Sequence, residues 1–314
     1  MNMNAIEIHD LAKSFNGSPV LDEISFNVRK GEIFGYLGPN GSGKTTTMRI
    51  MLGLLKPTSG RALILGDEPD AHNGGISDKI GVLLENNGLY ERLSAYQNLR
   101  YYARLYGVPE QDRVAKIEGL LKFAGLSDRR DEKTGRFSTG MKRKLGLARA
   151  MINDPEILFL DEPTSGLDPE SRIIVRDLIL KLSEEEGMTV FLNTHDLAEV
   201  EKVCSNAAIL ESGRIRACDT INGLRRSHDT PVLEITLVDT GCAERTLDLL
   251  NSQDHVYDCE RDDRRVTITL NDESPSTVLA MLVTNGIAVE EVKNATKSLE
   301  AVYLDIMKRR SGYN

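Results

Sequence analysis

The 314-residue chain contains no tryptophan, and aromatic residues make up only 5% of it. Packing is therefore expected to rest on Leu, Ile, Val and Ala, which recur from end to end. Cysteine is scarce as well: Cys204, Cys218, Cys242 and Cys259 are scattered and form no C-x-x-C pair. That pattern offers neither a disulfide framework nor a zinc site, and it suits a reducing compartment. No apolar run reaches the ~18 residues that cross a bilayer. The N-terminus, Met1 to Glu7, lacks the charged-then-apolar order of a signal peptide. The expectation is a soluble, cytoplasmic protein. Long basic runs are missing too, the largest being Arg225-Arg226, Arg264-Arg265 and Lys308-Arg309-Arg310 in a chain of net charge −9. No nucleic-acid partner is expected on these grounds.

What is present suffices for two globular domains, with 40% hydrophobic and 28% charged residues. Alternation at Ile6, Ile8 and Leu11, then at Leu21, Ile24, Phe26 and Val28, predicts short antiparallel strands around the turn Asn16-Gly17-Ser18-Pro19. Ile33 to Leu37 is an apolar run entering a glycine-rich loop. A helix is predicted over Thr45 to Leu55, stopped by Lys56-Pro57-Thr58-Ser59-Gly60. Residues 94–153 read as mainly helical, with a helix-spaced apolar stripe at Val114, Ile117, Leu120, Leu121 and Ala124. Strands at Ile157–Leu160 and Thr189–Leu192 flank a helical period over Ser171–Ser183, the order of a mostly parallel sheet with helices on its faces.

The polar stretch at 219–230 marks a boundary between a domain over 1–219 and another over 230–314. In the second, a strand at 232–238, a helix at 243–251, a hairpin of 256–260 with 264–270, a helix at 276–284 and a strand at 287–292 precede a closing helix at 298–310. The order βαββαβ plus a helix predicts a small ferredoxin-like α+β domain.

Two segments carry chemistry. Gly38-Pro39-Asn40-Gly41-Ser42-Gly43-Lys44-Thr45 fits G-x-x-x-x-G-K-[ST] between a strand and a helix, the context that motif requires. Its glycines let backbone N–H groups converge on phosphate oxygens, the helix N-terminus adds a positive dipole end, and Lys44 adds a point charge. The Thr45 hydroxyl suits a magnesium shell. Ile157-Leu158-Phe159-Leu160-Asp161-Glu162 is an apolar strand ending in two carboxylates, where ligands of an open parallel sheet sit. One acid is placed to hold magnesium and the next to polarise an attacking water. The plainer alternatives are an ordinary Gly-rich turn and a strand capped by solvated acids. Each loses ground because the other motif is present.

Further motifs make a resemblance specific. Phe137-Ser138-Thr139-Gly140-Met141-Lys142-Arg143 precedes the acidic pair by about twenty residues, Ser165-Gly166-Leu167-Asp168 follows it, and Asn193-Thr194-His195-Asp196 ends the next strand. Over residues 4–218 the chain resembles the nucleotide-binding subunit of ABC transporters, a P-loop fold with an antiparallel β subdomain and a helical subdomain at about 94–153. The resemblance implies ATP and Mg2+ as cofactors. Lys44, with Gly41 and Gly43, looks like the Walker A cradle, with Thr45 and Thr46 on the metal and phosphate side. Asp161 looks like the magnesium carboxylate, Glu162 the catalytic base and His195 the switch histidine at the γ-phosphate. Phe15 resembles the aromatic that stacks on adenine, with plain core packing as its alternative. Ser138 and Gly140, with Thr139 between them, match signature positions that bind the ATP of a partner subunit; Asp168, closing the Ser165–Asp168 motif, is counted with the nucleotide-binding residues. A head-to-tail dimer is implied, docked on separate membrane permease subunits at the inner face of the membrane.

Three of the five signature residues depart from the family's Leu-Ser-Gly-Gly-Gln, at Phe137, Thr139 and Met141. Glu85 stands where the family has Gln; a carboxylate there can ligand magnesium, but it adds negative charge near the γ-phosphate. The expected consequence is a site that closes less readily without its partner. Tyr90, Tyr96, Tyr101, Tyr102 and Tyr106 cluster after Glu85, and in the family this region borders the groove for the permease; packing within the helical subdomain is the plainer alternative. Ser298 to Leu304 resembles the closing motif of a C-terminal domain found in export-type bacterial cassettes, which serve drug, antibiotic, lipid or ion efflux. Two other classes stay open. One is a non-transport ABC ATPase acting on nucleic acid or ribosomes; the other is a regulatory module that binds ATP and barely hydrolyses it.

Overall fold

The computed structural model describes residues 4–70, 76–226, 232–253, 256–270, 275–295 and 298–308. The polar segment at 227–231 and the last two residues of the predicted closing helix, 309 and 310, lie outside them. The chain divides into two compact units, Met1–Ile221 and Asn222–Asn314.

In the first unit β1 (Asn4–Phe15) and β2 (Ser18–Arg29) pair antiparallel, and each runs for 12 residues rather than as short pieces. Register shifts along the pair, with Asp10 and Glu23 at positive φ, let the alternating pattern continue through irregularities that would otherwise end a strand. β3 (Ile33–Leu37) follows, then α1 (Lys44–Met51), and β4 (Ser59–Ile64) returns to the far side of β1. α1 is shorter than its pattern suggests. Gly53 at φ 70 ends it, with Gly53 N–H donating to Ile50 and Leu54 N–H to Arg49, so the glycine acts before the proline is reached.

β5 (Ile80–Leu83) begins the next layer, and α2 (Ala95–Leu105), α3 (Glu110–Phe123) and α4 (Thr139–Ala150) form the helical subdomain. Their core joins Leu99, Ala103, Ile117, Leu121, Leu145 and Ile152. Val114 is the member of the predicted stripe that fails; it is 56% exposed, because only the face through Ile117 and Leu121 meets α2 and α4. β6 (Ile157–Asp161), α5 (Pro169–Glu186), β7 (Thr189–Thr194), α6 (Leu197–Val203), β8 (Asn206–Glu211), β9 (Arg214–Thr220) and α7 (Ile221–Arg226) complete the series. The six strands order as β5-β6-β7-β3-β8-β9, parallel except for β9. β3 and β7 are buried throughout, which is why they read as unbroken apolar runs.

The core corrects one expectation. Aromatics are few, but Phe26 of β2 stacks on Phe34 of β3 at 5.4 Å, and Tyr36, Phe159 and Phe191 complete a contiguous aromatic cluster. Four of the seven phenylalanines are thus spent on joining the two sheets.

The second unit runs β10 (Val232–Leu237), α8 (Ala243–Asn251), β11 (Val256–Asp262), β12 (Arg265–Leu270), α9 (Pro275–Thr284), β13 (Val289–Ala295) and α10 (Leu299–Lys308). Its sheet orders as β11-β12-β10-β13 with every neighbour antiparallel, the arrangement of two interleaved βαβ units. Leu233, Ile235 and Leu237 alternate onto the face that meets Leu250, Val278 and Leu282.

Candidate active site

β3 delivers the chain into the loop at Gly38. A side-chain carbon there would lie 2.2 Å from the Leu210 carbonyl oxygen, so only glycine fits beside β8. Gly43, at φ 112, turns the chain into α1, whose first N–H groups receive no side-chain cap. Uncapped N–H groups at a helix start are available to an anion. Pro39, Asn40, Gly41 and Thr45 are exposed and Thr46 is half-buried, whereas Ser42 is buried with a hydroxyl that has no partner among the described residues. Lys44 is buried too. Its ammonium donates to the carbonyls of Gly38 at 2.7 Å and Pro39 at 3.2 Å. Burial lowers its pKa, and the negative charges of Glu162 and Asp161 oppose that shift.

Parallel pairing of β6 with β7 sets Asp161 beside Asn193. Asn193 Nδ2 donates to Asp161 Oδ1 at 2.5 Å. Burial nevertheless raises the Asp161 pKa; the Asn193 bond works against the shift, and the charges of Glu162 and Glu85 add to it. Glu162 sits at φ 49, an uncommon conformation for a side-chain-bearing residue, and its N–H is tied to the Asn193 carbonyl. Its carboxylate takes the Thr194 hydroxyl at 3.3 Å on one oxygen and faces His195 Nδ1 at 2.7 Å on the other. The positions singled out in the sequence therefore meet at the tips of β3, β6 and β7. Asn193 and Thr194 were not assigned roles from sequence; their signal is their place at the end of the strand paired with β6.

The other candidates sit on other elements. Ser138 is exposed as the N-cap of α4, accepting from the Met141 N–H at 3.2 Å, and Thr139 is exposed beside it. Gly140 is buried because a side-chain carbon would fall 2.9 Å from Ser171 Cβ of α5. Asp168 caps α5 through the Ser171 N–H, which holds its carboxyl below the usual range. Phe15 is 46% exposed at the end of β1, with Lys13 Nζ over its ring at 5.1 Å. Glu85 is exposed just past β5.

A family model described as ABC transporter matches residues 21–165. Over 303 residues the chain is 37% identical to an uncharacterized ABC transporter ATP-binding protein, YhcH, of Bacillus subtilis, covering 96% of this chain and 95% of that protein. The chain belongs to the ABC transporter ATP-binding proteins. As a member of that family it is an ATP-binding ATPase. It is also 32% identical to the bacitracin transport ATP-binding protein BcrA of Bacillus licheniformis, covering 96% of this chain and 97% of that one. A fluoroquinolones export ATP-binding protein of Mycobacterium tuberculosis is 41% identical over 66% of this chain and 67% of its own length. Among solved structures, cbiO1 from Clostridium perfringens, part of an ABC transporter complex, superposes with a TM-score of 0.65 at 30% identity, covering 70% of this chain and 89% of that one. A dimeric post-hydrolysis state of an ATP-binding cassette bound to ADP and Pi gives 0.62 at 25% identity, covering 68% of this chain and 98% of that one.

Proposed function

We propose that this chain is the ATPase subunit of an exporter, working as a head-to-tail pair on separate permease subunits at the inner face of the membrane. The observation that carries the hydrolytic part is the joining of Glu162 to His195 at 2.7 Å, beside Asp161 and within electrostatic reach of Lys44. ATP phosphates would occupy the loop from Gly38 to Thr46, displacing the Gly38 and Pro39 carbonyls from Lys44. Glu162 would take the proton of the attacking water, and His195 would orient the γ-phosphate. Phe15, exposed rather than packed, is free to stack on adenine.

The residues fit a magnesium ion. Burial, and then the charges of Glu162 and Glu85, raise the pKa of Asp161, so a cation there would relieve repulsion. Among the described residues no group of three or more His, Cys, Asp or Glu side chains would hold a metal by itself. That suits an ion arriving with phosphate oxygens and taking Thr45 and Asp161, with Glu85 close by. Bound there, the ion would neutralise charge developing on the phosphates.

Ser138 and Thr139 are exposed at the start of α4, which leaves them open to ATP held by a second copy, with Asp168 on the same interface. Among the described residues no helix is long and apolar enough to cross a membrane; the reading assigns permeation to other subunits. Leu84, Tyr90, Tyr101 and Leu105 are exposed around the Tyr90–Tyr101 ring contact, offering an amphipathic surface for a permease segment. Export as the direction follows the relative named for fluoroquinolones export. The test is reconstitution with the membrane protein that co-purifies with this chain. ATP-dependent efflux that Glu162→Gln abolishes is expected; ATP-dependent uptake would overturn the direction.

A further inference from the structure

β5 is the edge of the six-stranded sheet, and an edge strand presents carbonyls that no neighbouring strand takes. Here side chains take them. Asn153 Nδ2 donates to the Ile80 carbonyl at 3.2 Å, Arg149 to Val82 at 2.6 Å and Arg143 to Leu84 at 3.0 Å. The acceptors alternate along β5 and its extension, and Arg143 and Arg149 share one face of α4 with Gly146 between them. Gly146 is where α4 comes closest: a side-chain carbon there would lie 2.8 Å from Leu83 Cδ1. The helix that begins at Ser138 is thus fastened by side-chain donors along the strand that leads to Glu85.

Arg143 is the unusual member. It is 3% exposed, bonds the Glu85 carbonyl as well at 3.3 Å, and its Nε is buried without a partner among the described residues. Burial lowers the pKa of its guanidinium, and the charges of Glu85, Asp161 and Glu162, in that order, support the cation. A buried cation is costly unless it is well hydrogen-bonded, and here the Leu84 and Glu85 carbonyls supply those bonds.

We propose that Arg143 is a positioning residue for hydrolysis: its guanidinium, bonded to the Leu84 and Glu85 carbonyls, holds that turn against the helix that carries Ser138. The inference rests on the ATPase reading of the site. It gives a direct path between a copy's own hydrolysis site and the signature serine it offers its neighbour.

ATP hydrolysis by the full chain is to be measured for the wild type, Arg143→Gln and Arg143→Lys. Arg143→Gln should lower kcat by about tenfold while KM for ATP stays within about twofold. Arg143→Lys keeps the charge and loses the forked donor, so it should fold and still lose kcat several-fold. An Arg143→Gln protein with unchanged kcat would overturn the proposal. If Arg143→Gln does not fold, an Arg143→Lys protein with wild-type kcat would overturn it. Absence of hydrolysis in the wild type would instead reject the ATPase reading.

Discussion

Glu162 Oε1 lies 2.7 Å from His195 Nδ1, which joins the tip of β6 to the end of β7. The two side chains form one unit, and the Thr194 hydroxyl on the other Glu162 oxygen steadies it.

Residues that act as a unit lose activity together rather than additively. Glu162→Gln and His195→Ala are each expected to reduce kcat by about 10²–10³-fold, and the double variant by no more than the worse single. Glu162→Gln should still bind ATP and accumulate as a closed dimer, readable by light scattering. A monomer with unchanged turnover would remove Glu162 from its role.

Glu199 of α6 is buried and accepts from Thr164 at 2.5 Å, and burial pushes its pKa up to about 7, with the nearby charges of Asp196 and Glu162 adding to the shift. Its carboxyl holds a proton in the folded protein between its ordinary range and that value, where the unfolded chain has lost it. Stability from this group is therefore largest in acid and falls as pH rises toward 7, by roughly 3 kcal/mol in all. Urea midpoints at pH 5 and pH 8 should differ less for Glu199→Gln than for the wild type. An equal difference would refute the assignment.

Gly140 is required by α5 before any nucleotide is bound. Gly140→Ala would set its new carbon 2.9 Å from Ser171 Cβ, at a cost of about 1–3 kcal/mol. Ser171→Gly removes the obstruction, so the pair should be less destabilised than the sum of the single changes. Strict additivity in thermal unfolding would show that α4 and α5 do not meet there.

Phe15 tests the adenine contact. At 46% exposure its ring contributes little to the core, so Phe15→Ala should leave the melting temperature near that of the wild type. ATP affinity should fall by about 5–100-fold, the worth of one base stacked on an aromatic ring. Calorimetric titration of ATP against both proteins distinguishes this from a packing role, which would lower stability and leave affinity alone.

Much of the site was legible because its residues are fixed by local geometry. Gly38 and Gly43 are glycines for steric reasons that any strand-to-helix phosphate loop imposes, and Asp161 and Glu162 declare themselves by ending an apolar run. Asn193 and Thr194 were visible only as neighbours of His195, because their roles depend on which strand lies beside β6. Arg143, Arg149 and Glu199 gave no signal at all: a charged residue on a helix reads as solvated until tertiary contacts bury it. Phe26 was read as one member of an alternating strand, whereas its use is to stack on the next sheet.

The sequence by itself determined the phosphate loop, the acidic strand tip and the family, since each depends on residue types at short fixed spacings. Tertiary structure decided how those pieces are held. Pairing of β6 with β7 ties Asn193 to Asp161 and His195 to Glu162, and packing of α4 on the open edge of β5 buries Arg143 beside Glu85. The physical reason is that burial and hydrogen-bond partners come from chain segments distant in sequence, so the charge state and orientation of these groups exist only once the sheet and its helices have come together.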